Sequence, residues 1–163
     1  MPILAIPFSL SPPKEATMDG SGVQSKVYQV RGMARLEGDR LTLEWSGSVD
    51  ITEVRGTGVR TLRQSVPAQR LVLPTSRIAS FELHGRWWKP YVELRTDSLA
   101  PLELVPTAAA GRVLLGIARR DWGIARELAS HVQLAMADAA LHDAERARGF
   151  PHESADSGAN QDR

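Results

Sequence analysis

The sequence predicts a mainly β domain: a strongly bent antiparallel sheet, or partly open barrel, of about seven strands, closed by one C-terminal amphipathic helix. Three observations predict it. From Val30 to Ile117 short apolar segments alternate with polar residues and are broken by Gly, Pro and Asp. One long segment, Asp121–Arg148, instead follows the helical period. Hydrophobic content is 42% and charged content 24%, as in a globular domain with a real core.

The chain of 163 residues divides into a flexible leader (1–29), a folded domain (30–148) and a disordered tail (149–163). The leader holds Pro12-Pro13 and the run Asp19-Gly20-Ser21-Gly22. Its apolar stretch Ile3–Leu10 offers an alternative, an added edge strand, and Met18 an alternative start. Val30–Leu36 and Leu41–Trp45 alternate in and out, and Gly38-Asp39 between them favours a two-residue turn, which together make a hairpin. Ser46–Ala68 reads as a third strand and a long loop, because Gly56, Gly58 and Pro67 interrupt its apolar residues. Arg70–Leu73, Ile78–Leu83, Tyr91–Arg95, Leu102–Val105 and Val113–Ile117 read as the remaining strands.

On a helical wheel Ile124, Ala125, Leu128, Ala129, Val132, Ala135, Met136 and Ala139 share one arc. Asp121 is placed as its N-cap and Gly149-x-Pro151 as its stop. The stripe fades after Ala140, so the last turns extend past the body.

Net charge is +1, which gives no global electrostatic case for nucleic acid or an anionic membrane. Cysteine is absent, so thiol chemistry and disulfides are excluded. Met1–Leu10 lacks a basic n-region and a cleavage site, and a cytoplasmic location follows by elimination. Lysine occurs only at 14, 26 and 89 among 20 basic residues, which hints at a GC-rich bacterial coding background.

His84, His131, His142 and His152 have no metal-ligand spacing, and no nucleophile elbow, phosphate loop or dinucleotide fingerprint is present. No cofactor, metal or catalytic residue is therefore assigned. Arg86-Trp87-Trp88-Lys89-Pro90 is the most unusual local feature. Adjacent tryptophans on a strand point to opposite faces, so one would be exposed between two cations. Such an aromatic serves as a protein hot spot, a membrane-interface anchor or a stacking platform for single-stranded nucleic acid, or a folded-back loop packs both indoles on the body. Arg55, Arg60 and Arg63 form a second basic cluster, read as an anion or acidic-partner surface or as a solvated loop. Leu134 and Leu141, one heptad apart and off the apolar arc, are candidates for contact with a partner or a second copy.

The strand succession, the step Leu73-Pro74-Thr75-Ser76-Arg77-Ile78 and the run from Val113–Ile117 into Asp121-Trp122-x-x-Ala125-x-x-Leu128 resemble a bacterial pleckstrin-homology-like domain over roughly Val30–Leu141. The resemblance implies a seven-stranded bent sheet plugged by the helix, and a non-enzymatic interaction or adaptor role. Phosphoinositide-binding members carry a long basic loop between their first two strands. Here that connection is read as Glu37-Gly38-Asp39-Arg40, short and acidic, which argues against headgroup binding. The expected function is binding of a protein partner, itself included, through Arg86, Trp87, Trp88, Lys89, Leu134 and Leu141. The alternatives are a membrane-surface module using the tryptophan loop, and a carrier or enzyme with a pocket inside the sheet.

Overall fold

The computed structural model describes residues 4–10, 16–19, 22–86 and 88–148. Within them the chain runs β1 (Leu4–Leu10), β2 (Ala16–Asp19), β3 (Gly22–Glu37), β4 (Arg40–Arg55), β5 (Gly58–Pro74), β6 (Ile78–His84), β7 (Tyr91–Thr96), β8 (Arg112–Gly116) and α1 (Trp122–Arg148). The strands form one antiparallel sheet in the order β5-β4-β3-β1-β8-β7-β6, with β2 added beside β3. The end strands β5 and β6 do not pair, so the sheet is not closed. It curls all the same: Leu43 of β4 and Leu94 of β7, far apart in sheet order, belong to one core. The mainly β class, with one C-terminal helix packed on the sheet, is as the sequence predicts.

The leader reading is corrected. β1 lies in the middle of the sheet, paired with β3 from Leu4↔Leu36 to Leu10↔Val30. Ile6, Phe8 and Leu10 are buried in the core, one on every second residue. A chain starting at Met18 would lack this strand. Pro12, Pro13 and Gly20 lie outside the described residues, and Gly22 opens β3. The assigned tail, 149–163, lies outside the described residues.

Ser46–Ala68 is also corrected: it is strand on both sides of a turn. β4 continues to Arg55, Gly56-Thr57 turns, and β5 returns. Gly56 makes the turn with φ +56°, and Pro67 sits where the β4·β5 register slips between Trp45↔Gln69 and Gly47↔Val66. A proline is tolerated there, at an irregularity on an edge strand.

Leu102–Val105 is not a strand. Ala100–Leu102 is a 3-10 turn, and Leu102 and Val105 are both buried. Their spacing of three residues is that of a helical turn, not of a strand.

β3, β4 and β5 have 16, 16 and 17 residues. That is about 50 Å of strand, more than the core covers. Along this ribbon burial ends at Val49; beyond it Ile51 and Leu62, then Val54 and Val59, are half-buried or exposed. The far halves of the three strands thus form an arm.

α1 packs on β6, β1 and β3 through Ala125, Leu128, Ala129 and Val132. Its 27 residues make a rod about 40 Å long, whose buried and core-packed residues run from Ala125 to Met136. Ile124, placed in the apolar arc, is exposed. The small Ala125 and Ala129 let the helix axis approach the strands, so that Leu128 and Val132 reach the core. Asp121 ends a 3-10 turn before α1. Its Oδ2, expected to serve as a cap acceptor, is buried with no hydrogen-bond partner among the described residues.

Candidate interaction surfaces

The tryptophan loop joins β6 to β7. Gly85 adopts φ +87°, and a Cβ there would collide with the Lys89 carbonyl, so the turn demands glycine. Lys89 N–H donates to the Arg86 carbonyl at 2.9 Å, and Ile117 N–H to the Pro90 carbonyl at 3.0 Å. The first bond closes the loop and the second ties it to the chain leaving β8. The Arg86 guanidinium lies 4.9 Å from the centroid of the Trp88 ring, a cation–π contact, and Trp88 is 54% exposed. Trp87 lies outside the described residues. Below the loop His84 stacks on Tyr91 at 5.5 Å and meets Glu82 at 3.2 Å.

Beside this loop the sheet comes apart. Among the described residues β1 and β8 share one register pair, Ser9↔Gly116. Beyond it β1 faces the segment that leaves β8 for α1. A groove of about 680 Å³ opens there. Phe8, Pro90, Tyr91, Leu114 and Ile117 supply its apolar lining, and Arg31, Lys89 and Arg120 supply three cations against the one carboxylate of Asp121. Gly32 positions this wall: a side chain there would collide with the Phe8 ring and with the Glu44 carbonyl.

A second groove, about 450 Å³, lies between α1 and the β3–β4 turn, lined by Leu134, Ala135, Asp138, His142 and Asp39. Leu134 is 61% and Leu141 63% exposed. Among the described residues, the five singled out from sequence besides Trp87 therefore do not form one site. Lys89 lines the first groove, Arg86 and Trp88 stand in the loop beside it, Leu134 lines the second, and Leu141 lines neither.

The Arg55, Arg60, Arg63 cluster is largely compensated within the arm. Arg63 makes a two-pronged contact to Asp50 at 2.8 and 3.4 Å, Arg55 lies 4.0 Å from Glu53, and Arg60 is paired in register with Glu53. On β7, the Arg95 side chain donates a hydrogen bond to Glu93 and holds that carboxyl below its ordinary pKa. Burial opposes the shift, and Arg95, Arg112 and His84 add Coulombic attraction.

Sequence reasoning missed the first groove, because its wall is β1. The alternation Ile6-Phe8-Leu10 was the available signal. The turn Glu37-Gly38-Asp39-Arg40 joins β3 to β4 and is not the connection between the first two strands of the chain.

Among the described residues no three His, Asp or Glu side chains gather as a metal-ligand group, and no helix is long and apolar enough to cross a membrane. No protein family, curated protein or solved structure matches this chain.

Proposed function

We propose that this chain is a non-catalytic interaction domain of pleckstrin-homology-like type that binds a protein partner at the groove between β1 and the tryptophan loop. The observation that carries the reading is the groove itself, an apolar floor with a basic rim beside an exposed tryptophan. Buried aromatic anchors with a polar rim are how proteins concentrate binding energy. The groove suits an extended segment that carries one apolar side chain and neighbouring carboxylates. The curled sheet with its helical plug supports the pleckstrin-homology-like reading. The burial of Leu43, Leu73, Phe81, Val92 and Leu94 in the interior supports binding at the surface over binding within.

The test is affinity capture from a source lysate with the wild type, Trp88→Ala and Arg31→Glu. Partners retained by the wild type and lost by both variants support the proposal, and identical profiles refute it. Co-sedimentation with anionic vesicles at low salt is the control. Binding there that requires Trp88, without any captured protein, transfers the site to the membrane surface.

A further inference from the structure

The two edges of the open sheet are treated differently by the fold. β6 is covered: α1 packs on it, and the Gln133 side chain donates to the Phe81 carbonyl at 3.2 Å. Among the described residues β5 has no strand on its outer side, and along the arm its residues Gly58–Ser65 are all exposed. A long free strand edge is a template for pairing with another chain.

The hairpin turn fixes which backbone groups are free. Gly56-Thr57 is a two-residue turn with positive φ at its first position only, so Arg55↔Gly58 is its closing, hydrogen-bonded pair. Alternation along an antiparallel ladder then turns the N–H and C=O of Gly58, Arg60, Leu62 and Gln64 toward β4. Those of Val59, Thr61, Arg63 and Ser65 face outward. Pro67, without an N–H, ends the row.

We propose that this chain forms a two-fold dimer in which the β5 edges of two copies pair antiparallel, with Leu62 opposite Leu62 at the symmetry axis. The proposal uses a different surface from the groove and is independent of it. The register is argued from self-complementarity. A two-fold axis normal to the sheet pairs each residue with a partner on the same face. With Leu62 on the axis, Val59 pairs with Ser65 and Thr61 with Arg63, so every outward donor and acceptor from Val59 to Ser65 is used. Arg60 then faces Gln64, and no arginine faces its own copy. Shifting the axis to Arg63 opposes two arginines, and shifting it to Arg60 does the same. With Thr61 on the axis, Ser65 loses its strand partner. In the favoured register Leu62, 54% exposed in one copy, meets its symmetry mate. Ile51 stands beside it on the same face, being its register pair on β4. The joined face thus carries a continuous Ile51-Leu62-Leu62-Ile51 row.

Sedimentation equilibrium of the full chain, from micromolar to near-millimolar concentration, tests this. The wild type should pass from monomer to dimer. Leu62→Lys and Leu62→Glu, both at an exposed position, should each weaken self-association by at least about tenfold, because like charges meet on the axis. Mixing the two should restore a heterodimer, an outcome specific to residue 62 facing itself. Thr61→Pro should also give a monomer while leaving the β4·β5 ladder intact, checked by unchanged far-ultraviolet circular dichroism. A wild type that stays monomeric throughout overturns the proposal. So does a dimer that all three variants leave unaffected, or a Lys and Glu pair that fails to recombine.

Discussion

Leu128→Ala measures how much of the fold depends on the helical plug. Leu128 is fully buried, flanked along α1 by Ala125, Ala129 and Val132, on the helix face that meets the strands. Truncation removes three buried carbons, about 2.4 kcal/mol at about 0.8 kcal/mol each. The void that rigid strands cannot fill raises the cost to about 3–5 kcal/mol. That is a large share of the roughly 5–15 kcal/mol by which domains are stable. Leu134→Ala, on the same helix but 61% exposed, is the internal control and should stay within about 0.5 kcal/mol of wild type. Urea titration followed by tryptophan fluorescence reads both, with the slope of the transition compared to confirm that the same surface unfolds. Leu128→Asp, which buries a carboxylate, should not fold. If Leu128→Ala costs no more than Leu134→Ala, or Leu128→Asp melts cooperatively, the helix packs through another face and the plug is misassigned.

Three further outcomes follow from the same structure. Ile6→Ala should cost about 2–5 kcal/mol in thermal or urea unfolding, because β1 is core; a near-neutral result would return Leu4–Leu10 to a leader. Gly32→Ala should destabilise by about 1–3 kcal/mol or more, since a methyl has no room between the Phe8 ring and the Glu44 carbonyl, and wild-type stability would mean that β1 and β3 pack less closely. Glu93, its pKa lowered chiefly by the Arg95 hydrogen bond, stabilises the fold fully above its unfolded-state pKa and loses that contribution as pH falls through the lower folded value. Arg95→Gln should raise the Glu93 pKa in a carboxyl NMR titration and shrink that loss, whereas an unmoved titration would assign the shift elsewhere.

Local pattern carried the helix and most strands, and it failed where structure depends on distant partners. The arc through Ala125, Leu128, Ala129 and Val132 follows from the helical period alone. The Gly38-Asp39 turn follows from two residues, with Gly38 at φ +60°. β1 is harder, because one of its two neighbours is far along the chain: the Ser9 hydroxyl donates to the Gly116 carbonyl, 107 residues away. Nothing near Leu4–Leu10 announces that partnership, whereas Pro12-Pro13 announces a break. β5 escaped for the opposite reason. On an arm solvated on both faces, apolar alternation has no core to report, and Val59 and Leu62 look like loop residues between arginines. At Leu102 and Val105 the pattern is ambiguous, because two apolar residues three apart, bracketing Glu103 and Leu104, satisfy a turn as readily as a strand. The tryptophan loop was visible as an oddity of composition. The groove beside it was not, because its wall is assembled from β1, β3, β7, β8 and the chain before α1.

Amide hydrogen exchange on β5, read residue by residue at two protein concentrations, bears most directly on the open edge that sets this sheet apart from a closed barrel. In dilute solution Arg60, Leu62 and Gln64 should exchange slowly, and Val59, Thr61, Arg63 and Ser65 fast, an alternation imposed by the Gly56-Thr57 turn. At high concentration the second set should become protected as two edges pair. Uniformly fast exchange along Gly58–Val66 would contradict the arm. Uniformly slow exchange in the dilute monomer would mean that the edge is already covered.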